Sequence, residues 1–417
     1  MTGAADILAP LAPEFRLLCA AVRRAQGNGD VTALRAAMAA GPDWAAVLRG
    51  AARHRATALV LAGLQADGAA DVPPDVLAAL RRAAAADTRR CLAHAAEVVR
   101  LVRLFAAADI RVLVLKGVVL SQQLYGNLAM RGPGDIDLLV DPARFWEADA
   151  VLAAAGYRLD GPAISPARRA AGQRLFRDLT YRDAGRGLVV ELHQRLTANP
   201  RRLEADFDSL WRDRVDVALA GVAVATLPRR VLALYLCVHG AHHCWERLCW
   251  LADLTALLKD AEGAAGALAQ AEAAGLRAAM RLMVTLGHGW LGLPLPGHPH
   301  AGHPHAGHWH AGGRDGRRAR RFVARFFTGS RWLDMPREGS AAWLCREAWR
   351  RLYLYSFKDD WRHGWDELRA DLANPVDWGV FPLPDRLLWL YPFLRPVGWV
   401  VRNARRKRPA GHKAPPD

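Results

Sequence analysis

The sequence predicts an α+β protein, mostly helical, with a small mixed β-sheet set between flanking helical regions. Three observations carry this. Long stretches rich in Ala, Leu and Arg place apolar residues at helical spacing, as in "DVLAALRRAAAADTRRCLAHAAEVVRLVRLFAAA". Two short aliphatic runs, "IRVLVLKG" (110–117) and "DIDLLV" (135–140), break that texture. A third segment, "LFRDLTYRDAGRGLVVELHQRL", reads as two strands around the turn Asp183-Ala184-Gly185-Arg186-Gly187.

Taken in order, residues 1–108 read as an N-terminal helical region, with Pro73–Pro74 separating two helical hairpins. Residues 109–204 form the α/β core. There "VVLSQQLYG" is a helix after the first strand, and "DPARFWEADAVLAAAGY" is another, with Asp141 as N-cap, Pro142 in the first turn and Gly156 as its stop. Residues 205–296 return to helix, strongest in "LPRRVLALYLCVHGAHHCWERLCWLADLTALLKD". Residues 297–313, "GHPHAGHPHAGHWHAGG", form a near-perfect repeat too rich in Gly and Pro to pack, and are read as a linker. Residues 314–417 form a Trp-rich helical region that ends in a Pro-punctuated segment and a basic tail.

A chain of 417 residues with 52% hydrophobic composition can bury a sizeable core. The net charge of +16 points to polyanionic partners, but only five of the 57 basic residues are lysine. An Ala- and Arg-rich texture of this kind shifts the composition of the whole chain without specifying a site. The six cysteines contain no CxxC pair and suggest no disulfide frame. No uninterrupted apolar run reaches the roughly 18 residues of a membrane span, and the N-terminus lacks a secretory pattern, so the expected address is the cytoplasm.

Two charges stand out. In "RGPGDIDLLV", Asp135 and Asp137 lie one strand period apart in a run otherwise fit for burial. Two like charges so close repel unless something positive sits between them, and hard oxygen ligands of this type suit Mg2+ or Mn2+. On "LVVELHQRL", Glu191 shares a face with Val189 and His193, which makes it a candidate third carboxylate beside the aspartate pair. Three carboxylates around one point can hold two metal ions for phosphoryl chemistry.

The order "LVLKGVVLSQQLYG", then R-x-x-x-D-I-D-L-L-V, then a helix ending in "AAGY", then "VELHQRL" resembles a family of nucleotidyltransferases within the DNA polymerase β-like superfamily. Later segments, "HGAHHCWERLCWLADLTALL" and "PLPDRLLWLYPFLRP", resemble it as well. The wider superfamily carries Gly-Ser on its first helix; here Lys116-Gly117 takes that place and Ser121 sits later. The resemblance implies a small mixed β-sheet nucleotidyltransferase core. It also implies a nucleoside triphosphate donor, a hydroxyl acceptor, release of pyrophosphate, and a divalent metal (Mg2+ or Mn2+) on Asp135, Asp137 and Glu191. Lys116, Gly117, Ser121 and Arg131 are then the candidate nucleotide-binding residues. His239 or Asp253 would approach the nucleotide from the following helices.

Plainer readings stand beside these. The aspartates fit an exposed edge strand, and Glu191 fits a surface salt bridge. His239, His242 and His243 fit a buried or interface cluster better than a zinc site, because no carboxylate or cysteine completes a metal pattern with them. Whole-chain alternatives are a catalytically inactive scaffold with the same fold and a basic nucleic-acid-binding module, although nucleic acid is the less expected partner. The apolar segment "LLWLYPFLRPVGWVV" either packs on the body or lies against a membrane interface.

Overall fold

The computed structural model describes residues 10–29, 31–66, 71–161, 164–183, 185–295, 314–358, 360–372, 378, 380–381 and 383–406. The repeat at 297–313 lies outside these residues. Among the described residues four helices come first: α1 (Pro13–Ala25), α2 (Val31–Ala39), α3 (Trp44–Arg53) and α4 (Thr57–Gln65). α1 and α4 pack so closely that a Cβ at Gly63 would strike the Ala21 backbone. The next helix, α5 (Pro74–Ala107), has 34 residues and is therefore about 51 Å long. Pro74 starts it, because proline's missing N–H costs nothing at that position.

α5 joins two cores. Its early residues Val76 and Leu80 belong to a helical core, and Cys91, Ala95, Val98, Leu101 and Phe105 belong to a second core under the sheet. The helical core gathers Phe15, Trp290 and Phe327, whose rings meet at 4.8–5.5 Å between centroids.

The sheet uses the aliphatic runs read from the sequence. β1 (Val112–Val114) pairs antiparallel with β2 (Ile136–Val140), and α6 (Val118–Tyr125) connects them. Gly117 starts α6 at φ 74°, a backbone conformation that only glycine adopts without strain. Asp141 caps a short 3-10 turn, which leads into α7 (Phe145–Ala154). The chain then runs through β3 (Arg158–Leu159), α8 (Pro166–Leu175), β4 (Asp178–Asp183) and β5 (Leu188–His193). The strand order is β1-β2-β5-β4-β3, and β2 and β5 are parallel. The sheet is thus mixed, small and flanked by helices.

One expectation fails in the stretch read as wholly helical from 205. After the short α9 (Phe207–Arg212), β6 (Val215–Leu219) and β7 (Val222–Thr226) form a hairpin. Its turn residues Ala220 and Gly221 both have positive φ, as a tight two-residue hairpin turn requires. The alternation in "VDVAL" and "VAVAT" carries the signal, but its alanines resemble the helical texture around them. The Thr226 hydroxyl donates to the Val114 carbonyl at 2.7 Å and ties the hairpin to β1.

Helices then resume with α10 (Arg229–His242), α11 (Leu248–Leu258), α12 (Ala261–Ala273) and α13 (Arg277–Leu291). Beyond the repeat come α14 (Arg314–Phe326), α15 (Ala341–Tyr355), α16 (Trp361–Leu372) and α17 (Tyr391–Arg406). Among the described residues, no helix is long and apolar enough to cross a membrane.

Candidate functional site

The parallel pairing of β2 with β5 sets the site. Its register places Asp137 directly opposite Glu191, and Leu139 opposite His193. Residues opposite one another across a ladder point to the same face, so Asp137, Glu191 and His193 emerge together. Their ligand-type atoms all lie within 4.8 Å of one another, and among the described residues they form the group able to hold a metal ion. Asp135 precedes β2 and lies outside this set.

Lys116 completes the cluster from the β1–α6 turn. Its Nζ lies 2.7 Å from Asp137 Oδ1, with the two side chains 8% and 1% exposed. His193 Nε2 lies 3.3 Å from the same Asp137 oxygen and 3.4 Å from Glu191 Oε2. Burial works against the Asp137 carboxylate, but Lys116 and the bond from His193 overcome it and hold its pKa well below the usual range. Burial likewise opposes the Lys116 ammonium, and the Asp137 charge lifts its pKa above the ordinary lysine value.

Glu191 moves the other way. Burial and the Asp137 charge push its pKa up against the His193 bond. His193 is also raised; burial opposes the charged ring, but its hydrogen bonds to Asp137 and Glu191 prevail. Two neighbouring carboxylates with pKa values driven apart are the pattern that separates a charge-holding group from a proton-handling one.

The donor set fits a divalent cation. Two carboxylates and one imidazole meet on one face, and His193 Nδ1 is buried with no hydrogen-bond partner. Carboxylates suit Mg2+ and Mn2+; the imidazole favours the softer of the two, Mn2+. Arg177, just before β4, adds a guanidinium 3.7 Å from Glu191 Oε2 and pairs with Asp178.

Two expected nucleotide contacts lie deeper. Arg131 Nε meets Asp253 Oδ2 at 2.7 Å, both nearly fully buried, and the Tyr125 hydroxyl donates to the other Asp253 oxygen at 3.3 Å. The Ser121 hydroxyl donates to the Asn127 carbonyl at 2.7 Å and accepts from the Arg131 N–H at 3.3 Å. Ser121, Arg131 and Asp253 thereby fasten the 127–131 loop to α6 and α11. Gly117 stands at the α6 N-terminus with Asp135 close by. His239, His242 and His243 pack against one another, and the first and last of them against Trp250. Burial, with nearby cations, lowers the pKa of all three.

Sequence reasoning placed His193 on the Glu191 face without giving it a role. The alternation that located Glu191 locates it equally. Arg177 and Tyr235 had no such signal. Tyr235 is buried on α10, where Lys116, Asp137, Arg177 and Glu191 all act on its phenol.

No curated protein and no solved structure matches this chain. A family model described as uncharacterised nucleotidyltransferase matches residues 40–292. That span takes in α3 through α13 and every residue of the Asp137–Glu191–His193 cluster, and the chain belongs to this nucleotidyltransferase family.

Proposed function

We propose that the chain transfers a nucleoside monophosphate from a nucleoside triphosphate to a hydroxyl acceptor and releases pyrophosphate. The observation that carries this reading is the register pairing of Asp137 with Glu191, with Lys116 and His193 converging on Asp137 Oδ1 and His193 reaching Glu191 Oε2 as well. Asp137, Glu191 and His193 would hold Mg2+ or Mn2+, with Asp135 at the mouth of β2. When bound, the metal supplies charge neutralisation on the phosphates and acidifies the attacking hydroxyl.

The chain's own residues account for the rest. Lys116, now 2.7 Å from Asp137, would be placed to offer its ammonium to phosphate oxygens were Asp137 to hold a divalent ion. Gly117 lets backbone N–H groups at the start of α6 approach phosphate. Ser121 and Arg131 keep the 127–131 loop in place and so fix where Asp135 stands. Glu191, partly exposed beside Asp137, would take the hydroxyl proton at Oε2 as the new O–P bond forms and the bond to pyrophosphate breaks.

Calorimetry with ATP, CTP, GTP and UTP, each with Mg2+ or Mn2+, tests this reading. Metal-dependent binding of one triphosphate, lost in Asp137→Asn, is expected. Failure of the folded wild-type protein to bind any of the four overturns it.

A further inference from the structure

A cavity of about 680 Å3 adjoins the cluster on the β4 side. Asp178 and Thr180 line its inner wall; Asp178 stands opposite His193 in the ladder, and Thr180 opposite Glu191. Part of the cavity wall thus belongs to the same sheet face as the candidate metal ligands, with Leu179 between Asp178 and Thr180. Its outer wall comes from α15, α16 and α17, through Arg351, Asp371, Arg395 and their neighbours. That wall lies beyond residue 292, outside the span matched by the family model.

We propose that this cavity is the acceptor site, completed by the chain's own C-terminal region, and that its ligand is a small hydroxyl-dense molecule such as a polyol or sugar. The inference rests on the nucleotidyl-transfer reading and deepens it. The strand order supplies the first argument. Lys116 and Gly117 approach the carboxylates from the β1 side, whereas the cavity approaches from β4, across β5. Donor phosphates and acceptor thus enter from opposite sides of Asp137 and Glu191, as attack opposite a leaving group requires.

Size supplies the second argument. Cavities of about 300–1,000 Å3 enclose small ligands. Residues of both the core and the C-terminal helices line this one, and its volume is of that order.

The lining chemistry supplies the third. Arg177 pairs with Asp178, Arg202 with Glu367 and Arg351 with Asp371, so donors and acceptors alternate in matched pairs. Arg202 is further bound to His242 Nδ1 at 2.8 Å. A strongly charged ligand would have to break such pairs, whereas a hydroxyl accepts from the guanidinium and donates to the carboxylate at once. Phe176, Tyr355 and Trp378 offer flat apolar surface to the C–H faces of a ring. In the transfer, one ligand hydroxyl gives its proton to Glu191 Oε2, its oxygen bonds to the α-phosphorus, and the bond to pyrophosphate breaks.

The test uses the full-length chain, Ala370→Trp, and Ala370→Leu as a milder filling of the same wall, since Ala370 lines the cavity on α16. Each protein receives the α-32P-labelled triphosphate that it binds, with metal. Acceptors are myo-inositol, glucose, sucrose and trehalose, run beside bulk RNA and casein. The expected result is label on a member of the small panel, reduced at least tenfold by Ala370→Trp and less by Ala370→Leu, with triphosphate affinity unchanged in both. Label on RNA or casein alone overturns the proposal, as does label on nothing while triphosphate binds. Weakened triphosphate binding in both variants also overturns it, by making the cavity the donor site. Absence of triphosphate binding by the wild type instead overturns the nucleotidyl-transfer reading itself.

Discussion

Two buried ion pairs in this protein are alike in distance and burial. Lys116–Asp137 and Arg131–Asp253 both close at 2.7 Å, and all four side chains are nearly out of solvent. They differ in what else reaches them. Asp137 is shared with His193, faces Glu191 and borders a cavity through Asp178. Asp253 is bonded to Arg131 and Tyr125 and is fully buried on α11. A buried pair alone therefore says little about chemistry; further ligand atoms converging beside an accessible space are what separate a site from a fastener. The cations differ too. Lysine can shed its proton when stranded, and arginine cannot.

Asp137→Asn should have the largest effect. Nucleotidyl transfer should fall by at least about 10⁴-fold, or about 5 kcal/mol of transition-state stabilisation, measured as pyrophosphate release per folded molecule. Retained turnover in a well-folded Asp137→Asn protein would remove the distinction between the two pairs.

Asp253→Asn should reverse the pattern. It strands a permanently charged guanidinium, so stability should drop by about 3–5 kcal/mol in urea unfolding, with activity per folded molecule largely kept. Equal stability losses in Asp137→Asn and Asp253→Asn would show that the lysine does not relax as argued.

Added Mn2+ sharpens the comparison further. At about 100 times its Kd, a metal that binds only the folded state contributes about 2.7 kcal/mol. A matching rise in Tm is expected for the wild type and for Asp253→Asn, and none for Asp137→Asn.

The smallest effect is on pH dependence. Between about pH 6 and 9 neither Lys116 nor Asp137 titrates in the unfolded chain, and pairing moves both folded pKa values further out, so that pair contributes no slope there. His54 does. Burial, with Arg53 beside it, lowers its pKa to about 3, and its Nδ1 accepts the Leu248 N–H at 3.0 Å. Its folded pKa lies below its unfolded value near 6.5, so its contribution is complete above that pH. It is lost as the pH falls toward 3, at about 1.4 kcal/mol per unit. His193, with a raised pKa, works in the opposite sense. Unfolding midpoints at pH 7.5, 6 and 5 should decline toward acid, with His239, His242 and His243 adding to the decline, and His54→Asn should make it shallower.

The same contrast explains how much the sequence revealed. Asp137 and Glu191 were legible because strand alternation is local: each sits at a fixed parity within an aliphatic run. The strand–helix–strand order then brought the runs together. Lys116 stood out against an arginine-rich background. The Arg131–Asp253 pair was not legible, since it joins residues 122 positions apart and neither helix nor strand periodicity encodes such a meeting. The β6–β7 hairpin was hidden by alanines that suit helix as well as they suit its alternation. The cavity was hidden for the same reason as the pair: its walls come from β4 and from helices beyond residue 340.

The parallel pairing of β2 with β5 also bears on how the protein comes to life. The strands are separated by a crossover that includes α7, β3, α8 and β4, so their ladder closes only after that whole segment has been synthesised and has collapsed. Before closure, Asp137 and Glu191 belong to separate half-sites, neither of which can retain a cation. On the proposed function, reactivity would therefore arrive in a single step with completion of the sheet, and a chain with β5 unpaired would be chemically silent.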